Sequence, residues 1–153
     1  MKKRSLRPGE SGQSLVEFAV SVTLLLTLLA GVVDSSRALF TYLALRDAVQ
    51  EGSLYGSTEP LDQNDYDGDG DLTEINPNIE ARVRSSSDLV NSLGGDIQVQ
   101  VTILGAPCTG SGIRVTVQYD DFPLTMPFIG AILGSQTVAI SATATDTILR
   151  PAC

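Results

Sequence analysis

Leu15-Val-Glu-Phe-Ala-Val-Ser-Val-Thr-Leu-Leu-Leu-Thr-Leu-Leu-Ala-Gly-Val-Val33 carries a single charged side chain, Glu17, and is otherwise apolar or weakly polar. As a helix it is about as long as the ~20 residues needed to cross a bilayer. An ionised carboxylate in hydrocarbon costs ~2.5–3.5 kcal/mol on insertion scales, so Glu17 needs a partner or a role. Four bases (Lys2, Lys3, Arg4, Arg7) and one acid (Glu10) precede the segment in residues 1–12. The rest of the chain holds six bases against seventeen acids, a net charge of −11. Bases before a span and acids after it predict an N-terminus inside and a C-terminal domain outside.

That composition also excludes classes of function. Histidine is absent and both lysines lie in the basic leader, which removes the commonest general base, metal ligand and Schiff-base amine. No catalytic residue is assigned, and the chain is read as not an enzyme. A body at −11 would be repelled by phosphate backbones, so nucleic acid is no partner. At 153 residues there is room for one small extracytoplasmic domain.

Past Val33 the pattern turns amphipathic. Leu39, Leu43, Ala44 and Val49 alternate with Arg37, Arg46, Asp47, Gln50 and Glu51, predicting that the membrane helix continues outward with one apolar stripe. Asp34 and Arg37, three apart, read as an exposed ion pair of little energetic weight. Asn76-Pro77 reads as an N-cap followed by proline at the first helical position. Ile79, Val83, Val90 and Leu93 then mark one face of a second helix ending at Gly94-Gly95, with Ser85-Ser86-Ser87 facing solvent. From Ile97 the period becomes two. Ile97–Ile103, Ile113–Tyr119 and Val138–Thr145 each alternate apolar and polar side chains, predicting three half-buried strands. Between the last two, the apolar connection of residues 122–134 reads as a short helix on the core, a patch offered to a neighbour, or a mixture. The expected fold class is α+β: a long N-terminal helix, membrane-spanning in its first half, packed on a small antiparallel sheet of about three strands. The expected divisions are a leader at 1–12, a transmembrane helix at 13–34, an amphipathic extension at 35–56, and an extracytoplasmic α+β domain at 57–153 with an acidic loop at 62–76.

Two further constellations carry chemistry. Asp65-Tyr-Asp67-Gly-Asp69-Gly70-Asp71-Leu72-Thr73 follows the opening of an EF-hand-type calcium loop, with alternate carboxylates converging on one cation and a glycine at the sharp turn. Asn76 falls where a bidentate glutamate usually closes the cage. Possible Ca2+ ligands are therefore Asp65, Asp67, Asp69, Asp71 and Asn76, and the alternative is a solvated acidic loop. Cys108 and Cys153, an even pair in a region expected outside the cytoplasm, fit one disulfide; two free thiols or a pairing with another chain are the alternatives.

Gly12-Gln-Ser-Leu-Val-Glu-Phe, behind its basic leader, resembles the start of a type IV pilin or pseudopilin precursor. With Gly31-Val-Val-Asp-Ser-Ser-Arg37 and Leu45-Arg-Asp-Ala-Val-Gln-Glu-Gly52, it resembles more narrowly the TadE-like pseudopilins of the tight-adherence (Tad, or Flp) pilus system. The likeness is specific over residues 12–56, loose over 96–147 and absent over 57–95. It implies cleavage by a prepilin peptidase between Gly12 and Gln13, and pairing of Glu17 with the freed α-amine of a neighbouring subunit. It further implies a minor, structural pilus component whose partners are other pilins, the assembly machinery and membrane lipids. The expected location is a single-pass cytoplasmic membrane protein, possible to incorporate into an extracellular pilus. The competing reading is a membrane-tethered or secreted calcium-binding domain with an ordinary signal anchor, for which Leu28-Leu29-Ala30 offers a weak peptidase site.

Overall fold

The backbone from Glu10 to Thr58 is one uninterrupted helix, α1, in a computed structural model that describes residues 10–61, 75–126 and 129–150. No proline interrupts it, and at ~1.5 Å per residue its length is about 70 Å. After it come α2 (Asn78–Arg84), α3 (Asp88–Leu93), β1 (Ile97–Leu104), β2 (Gly112–Pro123), α4 (Ile129–Leu133) and β3 (Thr137–Thr147). The strands form an antiparallel sheet in the order β1-β2-β3. Fold class and strand count are as the periodicity predicts.

The central strand runs down the outer half of α1 like a ladder. At its start Ile113 faces Gly56, then Val115 faces Gly52. At its end the Arg37 guanidinium lies 5.3 Å from the centre of the Phe122 ring. Ile113, Val115, Val117 and Tyr119 are all buried, and the alternation then skips to Phe122. A bulge between Tyr119 and Phe122 supplies the extra residue that returns Phe122 to the core side. On the same face Leu45, Ala48 and Val49 of α1 meet Ile79, Val83 and Val90 from α2 and α3.

The stripe by which α1 meets the head is the expected one only in part: Val49 is buried in the core and Ala44 packs against it, but Leu39 and Leu43 do not take part. Its sheet-facing positions are Asp34, Thr41, Leu45, Ala48, Gly52 and Gly56, whereas Leu39 and Leu43 point away and are exposed. The reason is steric. Side chains from α2 and β2 seat directly on the α1 backbone at two glycines: a Cβ at Gly52 would overlap Val83 of α2, and one at Gly56 would overlap Ile113 of β2. Ser53 and Ser57, buried on this side, satisfy their hydroxyls on the carbonyls of Gln50 and Leu54. Leu45 and Val49 are the large apolar side chains that α1 gives to the core, while Leu39, Phe40 and Leu43 are left exposed.

The expected second helix is two. Asn76 does act as its cap: the Asn78 amide donates to Asn76 Oδ1 at 3.0 Å, and Pro77 has helical dihedrals. The helix then stops at Ser85, because the Ser87 hydroxyl accepts the Val90 amide at 3.2 Å and starts α3. Serine caps compete with helix continuation, so Ser87 is an N-cap and not solvent-facing filler. Val83 and Val90 still share the core because the break re-aims the second helix. Arg82 Nε ties α2 to α1 through Glu51 Oε1 at 2.9 Å.

Candidate functional site

The apolar segment of α1 stands clear of the rest of the protein. Among the described residues α1 is the one helix long and apolar enough to cross a membrane, and none of its most apolar window is buried. Val16, Phe18, Leu24 and Leu28 are all exposed. Gly12, Gln13 and Glu17 lie on this free part. Glu17 accepts a hydrogen bond from the Gln13 amide side chain, 3.2 Å away and one turn earlier. That spacing places the Gln13 side chain, and the backbone nitrogen a prepilin cleavage would free, one helical turn before the carboxylate. A Cβ at Gly12 would meet nothing within 4 Å, so packing within the chain does not require glycine there.

Where the free segment meets the head, Asp34 makes the joint. Its side chain is almost fully buried, at 6% exposure. The Thr125 hydroxyl donates to Oδ1, the Met126 amide donates to Oδ2 at 2.6 Å, and Arg37 Nη1 donates to Oδ1 at 3.4 Å. The same guanidinium nitrogen reaches the Thr125 hydroxyl oxygen at 3.3 Å while the group sits over Phe122. The expected exposed ion pair is thus a clasp: one acid on the helix holds the chain that leaves β2. Sequence spacing showed the pair, but a partner some ninety positions away is invisible to local periodicity. The nearest signal was the resemblance, whose Gly31–Arg37 motif contains both residues.

Gln136 completes the joint from the far side. Its Nε2 donates to the carbonyls of Leu124 and Met126 at 2.8 and 3.0 Å, and its Oε1 accepts from the Gly130 amide at 3.1 Å. The turn between β2 and β3 is therefore braced against both α1 and β3. Between that turn and α1 runs an open groove of about 650 Å3, lined by Leu28, Gly31, Val32, Met126, Ile129 and Leu133 among others.

The candidate metal ligands Asp65, Asp67, Asp69 and Asp71 lie outside the described residues. Asn76 is described, and its side chain is engaged twice. Oδ1 takes the Asn78 amide, and Nδ2 donates to the Glu59 carbonyl at 3.3 Å. The base of the acidic loop is closed by an antiparallel bridge between Leu61 and Ile75 and by the Asn76 amide on the Pro60 carbonyl at 3.0 Å. Cys108 is disulfide-bonded, and Cys153 lies outside the described residues. Nearby, the end of the described chain runs back beside Cys108, with the Gly110 amide on the Ile148 carbonyl at 2.9 Å and the Thr109 hydroxyl on the Leu149 carbonyl at 3.2 Å.

No curated protein and no solved structure matches the chain. Residues 12–54, which hold the apolar segment, Asp34, Arg37 and Gly52, match the family described as TadE-like protein. Over that helix, less than a third of the chain, the protein is similar to the TadE-like family, which is associated with the Tad pilus.

Proposed function

We propose that the chain is a minor pseudopilin of a Tad-type pilus system, structural and not catalytic. In this reading it is anchored in the cytoplasmic membrane with its head outside. Prepilin peptidase cuts between Gly12 and Gln13, and Glu17 pairs with the freed α-amine of a neighbouring subunit. The observation that carries the proposal is the outward face of α1 beyond the apolar segment. A simple anchor has no further use for greasy surface past Val33. Yet Leu39, Phe40 and Leu43 continue it, and Phe40 is 70% exposed. Such a stripe, continuous with the free apolar segment and turned away from the head's own sheet, suits side-by-side packing of helices from several subunits. In that setting a misregistered subunit would leave Glu17 buried and unpaired, which disfavours wrong registers strongly.

Glu17→Ala should insert into the membrane as the parent does and fail to enter pili. Normal incorporation of that variant, scored by co-purification with sheared fibres, would remove the pairing role. N-terminal sequencing of the native protein separates the competing reading in one step. A start at Gln13 fits the pseudopilin, a start at Gly31 an exported domain, and a start at Met1 a plain anchor.

The acidic loop is proposed as a structural Ca2+ site. What supports it is the residue order Asp65, Asp67, Asp69, Gly70, Asp71 together with a stem closed at Leu61 and Ile75. Bringing four carboxylates onto one short closed loop is repulsive without a cation. Asn76 could contribute at most the second lone pair of Oδ1, because the first is held by the Asn78 amide. The cage would therefore be weak, of the kind found in extracellular modules.

A further inference from the structure

We propose that α4 and the flanking Leu124 and Met126 form a second membrane contact, seated in the outer edge of the bilayer beside α1, with the groove between them filled by lipid acyl chains. The argument begins with depth. The groove is lined on the α1 side as far back as Thr27 and Leu28, seven residues before Asp34. At ~1.5 Å per residue that is about 10 Å below the clasp, well inside the segment that is long enough to span the hydrocarbon. Met126 reaches part of the way down, its Sδ 3.6 Å from the position of a Cβ on Gly31, three residues or about 4.5 Å below Asp34, and Ile129 and Leu133 line the same groove. Whatever surrounds α1 at Leu28–Val32 therefore surrounds this part of the head too. If the segment crosses a bilayer, the surrounding medium there is lipid.

The chemistry of the turn matches that medium. From Phe122 to Thr145 the chain contains no charged residue. Leu133, 57% exposed, lines the groove with Leu28 at 59% and Val32 at 63%, and Ile132 beside it in α4 is 77% exposed, so the head and the helix present one apolar surface. An element buried about 5–10 Å into the headgroup–acyl boundary is the usual geometry of an interfacial helix. Asp34, the acid at that boundary, has its carboxylate covered by the Thr125 hydroxyl, the Met126 amide and Arg37, and so tolerates a position next to hydrocarbon. Arg37, 43% exposed, places its charge at headgroup level. The clasp thereby sets how deep the head sits, and the head cannot swing freely about the span.

The inference rests on α1 crossing the membrane and not on the pilus assignment, so the two fail separately. The chain has no tryptophan, which permits a single-probe experiment on the full chain in phosphatidylcholine vesicles. Ile132→Trp is read against Val32→Trp, within the apolar segment, and Leu104→Trp, at the opposite end of the head. Lipids brominated near the top of the acyl chain should quench Ile132→Trp as they quench Val32→Trp, with a blue-shifted emission, and leave Leu104→Trp bright. Quenching should not depend on the protein-to-lipid ratio. A red-shifted Ile132→Trp that aqueous acrylamide quenches like Leu104→Trp overturns the proposal, provided Val32→Trp is lipid-quenched. A probe protected from both quenchers, or one protected only at high protein density, also overturns it, because a second protein chain and not lipid then covers α4.

Discussion

Replacing Asp34 with alanine removes the acceptor of two buried hydrogen bonds and leaves the Met126 amide with no partner in the described structure. A hydrogen bond to a charged group contributes about 1.5–3 kcal/mol, so the Thr125 and Met126 bonds together hold the turn to α1 by roughly 3–6 kcal/mol. The Arg37 contact adds less than about 1 kcal/mol, because that side chain is exposed to screening solvent. This loss is local. The turn is also held to β3 through Gln136, so it can part from α1 without unfolding the sheet. In Asp34→Ala the Met126 amide should exchange with solvent at least about 100-fold faster, taking the lower bound at about 1.4 kcal/mol per factor of ten. Amides of β2 such as Val117 should keep their protection. Asp34→Asn should fall between, costing about 1–2 kcal/mol. Its oxygen can face the Met126 amide while its amide donates to the Thr125 hydroxyl, but it then offers a donor to Arg37. Hydrogen exchange with mass spectrometry on the detergent-solubilised full chain makes the measurement. Unchanged exchange at Met126 in the alanine variant, or equal loss of protection at Val117, would refute the reasoning.

Gly52→Ala gains about 1 kcal/mol in helix propensity, but its Cβ overlaps Val83, and overpacking of that kind costs about 1–3 kcal/mol. A net loss of up to about 2 kcal/mol should appear as a lowered Tm; a higher Tm would show that Val83 has room to move. Adding Ca2+ to the full chain should raise Tm, by an amount equivalent to about 2.7 kcal/mol at a hundredfold excess over Kd. Mg2+ should do less, and the double change Asp67→Asn, Asp69→Asn should abolish the shift. Equal responses of parent and double variant would leave the acidic loop without a metal role.

The reach of local pattern and its limits are clear from particular residues. Alternation at Ile113, Val115, Val117 and Tyr119 marked a strand with one buried face, and the register later put those side chains in the core. Asn76-Pro77 marked a helix start because capping is decided within a few bonds. Ser87, by contrast, looked like surface filler on a helix face, since nothing local says whether a serine will cap or point outward. Leu39 and Leu43 looked like the contact stripe because hydrophobicity was taken to follow burial. Where Val83 and Ile113 press their methyl groups onto the helix backbone, glycine is selected instead.

The single chain's own order of residues determined a long apolar helix with one acid near its start, three alternating strands, an excluded set of catalytic chemistries and a family likeness over the first helix. These are properties of neighbours along the backbone, where periodicity, charge and capping act over a few residues. Only the tertiary structure decided which face of α1 meets the sheet, that Asp34 is buried under Thr125 and Met126, and that α4 lies alongside the apolar segment. Those outcomes depend on contacts between residues some thirty to ninety positions apart. They are settled by steric fit at Gly52 and Gly56, and by the need of a buried carboxylate for donors, neither of which a local pattern contains.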